Sequence, residues 1–122
     1  MREAVVVSAA RTPIGRAFKG AFNNIDGAEV DDVIMGCAMQ AGSTGYNVAR
    51  LSLIAAGLPV TVAGMTIDRQ CSSGLMSVAT AAKQIMFDGM DVAIGGGVES
   101  ISLVQQNYFD LMASTADENV FK

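Results

Sequence analysis

Residues 67–75 read Ile-Asp-Arg-Gln-Cys-Ser-Ser-Gly-Leu, and the thiol of Cys71 has the surroundings best suited to chemistry. A strand-like run ends at Gln70, the cysteine sits at the bend, and an amphipathic helix begins past the two serines and the glycine. The amides and the positive dipole end of a helix start favour thiolate over thiol. A thiolate there is a nucleophile ready to take an acyl group. The competing reading is a buried free cysteine used as a small hydrophobe, the commoner fate of that residue. On local chemistry alone both stand open.

The elements around that bend read as alternating strands and helices. Glu3–Ala10, EAVVVSAA, is a continuous apolar run predicted as a strand buried on both faces. Asp32–Ala38 is a second strand. A helix follows with Asn47 as N-cap, Val48, Leu51, Ala55 and Leu58 on one face, and Gly57-Leu58-Pro59 as its stop. Val62–Asp68 is a third strand. Ser72–Phe87 is the clearest helix, with a stripe of Leu75, Val78, Ala79, Ala82, Ile85 and Met86, closed by Asp88-Gly89. Asp91–Gly95 is a fourth strand. This order predicts an α/β chain with a mostly parallel sheet.

Two stretches break the pattern. Parallel strands need a crossover between them, yet residues 11–31, RTPIGRAFKGAFNNIDGAEVD, are punctuated by Gly15, Gly20 and Gly27. The crossover helix is expected to be absent or incomplete there, with the junction at Asn24-Ile25. From about Gln105 the polarity is mixed and without sustained period, so 105–122 is left as an unassigned tail and the chain reads as truncated.

Composition bounds the rest. At 122 residues and 51% apolar, the chain can bury one modest core. Its net charge of −4 and scattered basic residues argue against a nucleic-acid partner. No apolar run is long enough for a membrane span, and no secretory leader is read at the N-terminus. The two cysteines are far apart and histidine is absent, so no metal site is expected. Few cysteines and eight methionines fit a reducing, cytoplasmic compartment.

The residues resemble the thiolase family. Glu3–Gly15 is similar to its first strand and RTPxG loop, Ala28–Gly36 to its second strand, and Asn47–Pro59 to the helix that follows. Asp68–Leu75 is similar to its nucleophile motif and Gly95–Ser102 to its GGxES strand end. Five segments in order make the match specific over about residues 1–104. The implied fold is α/β, the N-terminal half of a thiolase-like fold, with a mostly parallel mixed sheet and helices on both faces, incomplete here. The domain is placed at 1–104, and the resemblance puts a loss of roughly 20–30 residues between 24 and 25.

The resemblance implies an acyl-CoA acyltransferase. It would cleave a 3-ketoacyl-CoA with a second CoA, or run the reverse Claisen condensation. Cys71 would be the nucleophile, and its backbone N–H would donate to the thioester oxyanion, a contact worth about 3 kcal/mol in well-studied hydrolases. Acyl-CoA and CoA are substrates, and no cofactor is implied. A homodimer or homotetramer is expected, with the Val62–Asp68 strand as a sheet edge needing a partner. A β-oxidation multienzyme partner is a further expectation. The family's catalytic histidine and second cysteine come from its C-terminal half, so this chain alone is expected to be inactive.

Other residues draw structural readings. Cys37 does not match the second catalytic cysteine and is read as core. Glu99 is a candidate general base, but the favoured reading is a buried hydrogen-bonding brace of strand ends. Gly95-Gly96-Gly97 lacks a phosphate-loop pattern and is read as close strand packing. Arg11 and Arg16 are weighed as CoA-phosphate contacts against a salt bridge. Met35, Met76 and Met86 are read as core fillers. The motif is nearer the degradative 3-ketoacyl-CoA thiolases. The alternatives are a biosynthetic acetoacetyl-CoA thiolase, a ketoacyl-synthase-like condensing enzyme, and a truncated, non-catalytic binding or assembly module.

Overall fold

A computed structural model describes residues 2–7, 9, 29–117 and 119. Three parallel strands form its sheet: β1 (Asp32–Gly36), β2 (Ala63–Ile67) and β3 (Ala93–Gly97), in the order β2-β1-β3. In register, Ile34 faces Met65 on one side and Gly95 on the other. Helix α1 (Val48–Ala55) connects β1 to β2, and α2 (Ser73–Lys83) connects β2 to β3. A third helix, α3 (Ile101–Thr115), follows β3.

Glycines in the strands decide how the helices dock. A Cβ at Gly64 would stand 2.9 Å from Arg50 Cα on α1. One at Gly95 would stand 2.7 Å from Val78 Cα on α2, and one at Gly36 2.2 Å from the Ser73 carbonyl carbon. Gly64 pairs with Val33, whereas Gly95 pairs with Ile34. Side chains alternate along a strand, so α1 and α2 lie on opposite faces of the sheet. On the α1 side, Val30, Val33, Leu53 and Val62 form the buried core, with Met35, Leu58 and Ile94 packed on it.

The predicted strands at 32–38, 62–68 and 91–95 form within a few residues of their expected bounds. Asn47 caps α1, its Oδ1 accepting from Arg50 N–H at 3.1 Å. The same side chain ties the helix to β2, donating to Gly64 O at 2.7 Å and accepting from Thr66 Oγ1 at 2.9 Å. Below α2 the helix widens into one π turn, Gln84–Asp88, and Gly89 ends it at φ 83°, where a side chain would be strained. Among the described strands, β2 lies at an edge of the sheet, as expected for the Val62–Asp68 run.

Four expectations need correction. Among the described residues of Glu3–Ala10, none pairs into the sheet, and Val5, Val6 and Val7 are 69%, 79% and 83% exposed. A doubly buried strand needs a neighbour on each face, which hydropathy alone does not provide. Here Ala4–Val7 face Val78, Ile85 and Ile94 across an apolar cleft of about 390 Å³. The inward faces of both helices are also rotated from the predicted stripes. On α1, Val48, Ala49 and Leu53 are buried while Leu51 is exposed. On α2, Ser73, Ser77 and Ala81 are buried while Leu75 is 75% exposed. On α2 the glycine contacts bring the helix so close that small residues meet the sheet, whereas on α1 Leu53 packs over Gly64.

The fourth correction is the stretch from Gln105, where α3 continues to Thr115. Its period becomes legible when the window starts at Ile101: Val104 is buried, and Tyr108 and Met112 are half-buried below it, an i, i+4 row. The Asn24-Ile25 junction and the missing crossover lie outside the described residues. Among those described, no helix is long and apolar enough to cross a membrane.

Candidate active site

Strand β2 ends at Ile67, α2 begins at Ser73, and the five residues between them form a tight elbow. Asp68 Oδ1 accepts the Gln70 N–H at 2.8 Å, an Asx turn that bends the chain sharply after the strand. Gln70 takes φ 50°, a left-handed conformation costing a non-glycine residue about 1–2 kcal/mol. Ser72 donates through its hydroxyl to Arg69 O at 2.8 Å, and its N–H reaches the same carbonyl at 3.2 Å. Ser73 is 4% exposed. Its hydroxyl accepts the Arg69 N–H at 2.7 Å and donates to Gln70 O at 2.6 Å.

Cys71 stands at the apex of this elbow as an exposed free thiol, so the reading of a buried small hydrophobe fails. It stands just ahead of the start of α2, whose first turn has no side-chain cap. The Ser72 and Ser73 N–H groups there already donate to Arg69 O and Gln70 O, which leaves the next amides of the first turn, Gly74 and Leu75, to face an anion formed in front of them. Among the described residues, one cleft lies beside Ala4–Val7 and another, of about 350 Å³, beside Tyr46, Asn47 and Thr66, and Cys71 lines neither.

Glu99 does brace strand ends, although it is exposed and not buried. Its carboxylate accepts the Ala38 N–H at 2.9 Å and the Met39 N–H at 3.2 Å, clamping the loop that leaves β1 to the end of β3. Cys37, 1% exposed, is a core residue, and its thiol lies 3.8 Å from Glu99 Oε1. Burial pushes the Cys37 pKa up and the Glu99 charge adds to the effect, outweighing the opposing hydrogen bonds from the Thr44 and Met39 region. One strand further out, the Cys37 N–H donates to Ile67 O at 3.0 Å. The brace therefore runs from Glu99 through the β1 end to the residue before the elbow.

Gly95 and Gly97 serve close packing: a Cβ at Gly97 would stand 3.3 Å from Gly36 O. Met35, Met76 and Met86 are half-buried, with Met35 packed on the core. Arg11 and Arg16 lie outside the described residues. The sequence reading treats Ser72, Ser73 and Gly74 only as small residues permitting close approach, and so misses the hydroxyl of Ser73 as a clip. An Asp two residues before a left-handed position, followed by Ser four and five residues on, is the local signal that was there to be read.

The sequence profile of the thiolase N-terminal domain matches residues 21–121. A 3-ketoacyl-CoA thiolase of Bacillus subtilis is 44% identical over 85% of this chain and 32% of its own length. A beta-ketoadipyl-CoA thiolase of Pseudomonas aeruginosa is 40% identical over 83% of this chain and 30% of its own. Among solved structures, an acetyl-CoA acetyltransferase of Bacillus anthracis superposes with a TM-score of 0.60 at 45% identity. It does so over 64% of this chain and 20% of that one. A thiolase of Ascaris suum solved with coenzyme A gives 0.61 at 28% identity, over the same shares. The chain spans about a third of the length of the curated relatives it matches. On these matches, and with its elbow cysteine at the head of α2, the chain belongs to the thiolase family through that family's N-terminal domain.

Proposed function

We propose that the whole protein is an acyl-CoA acyltransferase of thiolase type and that Cys71 carries the acyl group. The observation behind this is the exposed Cys71 thiol at the apex of a strained elbow ahead of α2. The thiolate attacks the 3-carbonyl carbon of a 3-ketoacyl-CoA, and the bond between C2 and C3 breaks. Its electron pair stays on C2, which takes a proton and leaves as acetyl-CoA. The acyl group remains on Sγ as a thioester until the thiolate of a second CoA attacks it, releasing acyl-CoA and restoring Cys71. Each half is easier than direct carbon–carbon cleavage by free CoA. No histidine occurs in the 122 residues, and the chain spans about a third of its relatives' length; in this reading the rest of the whole protein contributes to moving protons at Sγ and C2, and this chain by itself is expected to turn over no substrate.

The relatives' names favour 3-ketoacyl-CoA substrates; the degradative direction rests on the motif Asp68–Leu75. The alignment to the Bacillus subtilis protein runs over 123 positions while taking in 85% of this chain. It therefore contains positions without a counterpart here, in keeping with a shortened first crossover. An oligomer is supported by β2, a sheet edge that only β1 pairs among the described strands, and a cytoplasmic setting by two free thiols.

The experiment is mass spectrometry of the whole protein after incubation with acetyl-CoA or a 3-ketoacyl-CoA. The expected result is one acyl group on the peptide containing Cys71, absent in C71A and blocked by prior iodoacetamide treatment. Acyl transfer to another residue, or none with the whole protein, would overturn the assignment. In the latter case a binding or assembly role takes its place.

A further inference from the structure

The elbow holds Cys71 without touching its side chain, through bonds made by the residues on either side. Of the three side chains that make them, Ser73 is the buried one, and it alone spans the elbow from both directions. Its Oγ receives the N–H of Arg69, two residues before the cysteine, and gives its own proton to the carbonyl of Gln70, one residue before. Its backbone N–H meets that same Gln70 carbonyl at 3.0 Å. Gln70 is the residue at φ 50°, and a side chain stays in that region only where its surroundings over-determine it. On its other flank Ser73 rests against Gly36, with no space for a Cβ between them. The clip is thereby anchored to the central strand.

We propose that Ser73 is a positioning residue: its hydroxyl closes the elbow, keeps Gln70 left-handed, and so presents the Cys71 thiol at the head of α2. The assignment deepens the reading of Cys71 as nucleophile and rests on it. The Asx turn at Asp68 starts the bend, but its carboxylate is exposed and reaches only Gln70 N–H. Without the Ser73 hydroxyl, Arg69 N–H loses its partner and Gln70 O keeps only the Ser73 N–H. The strain at Gln70 then drives the bend open.

The test is iodoacetamide labelling of the two thiols in the same protein, with Cys37 as an internal monitor of the fold, since it is buried. In S73A, Cys71 is expected to label about tenfold more slowly, within the scale of the two hydrogen bonds the hydroxyl makes, while Cys37 stays protected. Adding Gln70→Gly to S73A should restore the Cys71 rate, because glycine takes the positive φ without cost. In the whole enzyme, S73A should lower kcat with KM little changed, and the added Gln70→Gly should recover it. Wild-type labelling of Cys71 in S73A would overturn the proposal. So would a double variant no faster than S73A, or a rise in Cys37 labelling, which would make Ser73 a residue of the fold alone. Labelling needs no acyl-CoA, so failure of the thiolase assignment would instead show as a missing thioester on a normally reactive Cys71.

Discussion

Gly36 on the central strand lies against the backbone of Ser73 at the start of α2, where an added Cβ would stand 2.2 Å from the Ser73 carbonyl carbon and 2.5 Å from Gly74 N. The neighbours are backbone atoms, which cannot rotate away as the end of a side chain can. The contact ties the middle of the sheet to the elbow that carries Cys71. Gly36→Ala is therefore expected to cost about 3 kcal/mol, the upper part of the usual overpacking range. Gly74→Ala, one residue along and with no atom within 4 Å, should stabilise by about 0.5–1 kcal/mol as an alanine in a helix. Denaturant midpoints of the two variants check the contrast. Equal midpoints would mean that α2 shifts freely on the sheet.

Glu99 joins the ends of β3 and β1 through two backbone N–H groups. Because the carboxylate is exposed, its loss is screened and Glu99→Ala should cost only about 1 kcal/mol. The local effect should be larger than the global one. Loop 38–39 loosens, and Cys37, which lies under it, should label with iodoacetamide several-fold faster than in wild type. Unchanged Cys37 labelling would show that the clamp holds nothing.

Burial raises the pKa of Cys37 above the ordinary thiol value of 9.0. The folded state then keeps this proton more tightly than the unfolded chain does. Its contribution to stability is whole below 9.0 and is lost as pH rises through the folded value. The urea midpoint of the wild type should accordingly fall more steeply above pH 9.0 than that of Cys37→Ala. Parallel curves for the two proteins would count against it.

Asn47 serves three partners: the α1 N-terminus through Arg50 N–H, the Gly64 carbonyl on β2, and the Thr66 hydroxyl. Asn47→Ala removes all three and should cost about 2 kcal/mol, the top of the range for a lost cap. Asn47→Asp keeps the acceptor that caps the helix but has no N–H for Gly64 O, so its cost should be about half. Thermal unfolding of the pair separates capping from the tie to β2.

Much of the fold was legible in local signals. Asn47, Gly57-Leu58-Pro59 and Asp88-Gly89 mark helix ends because caps and breakers act within a turn of where they stand. Strands 32–38 and 62–68 are legible as short apolar runs between such marks. The position of Cys71 at an exposed bend was legible because strand, bend and helix are consecutive in the chain.

What the tertiary structure alone decided is every relation between distant residues. The apolar run after Glu3 has the composition of a buried strand, yet Val5–Val7 lie exposed beside a cleft, since pairing depends on a neighbour and not on hydropathy. The inward faces of α1 and α2 follow Gly64, Gly36 and Gly95, glycines on strands outside the helices themselves. Glu99 meets a loop 60 residues earlier in the chain, a pairing that no periodicity encodes. Thus the sequence by itself determined the thiol set at the strand–helix bend and the elements on either side of it. The packing of backbone on backbone at strand glycines set the helix faces and anchored the Ser73 clip, because steric contact depends on distance in space and not along the chain.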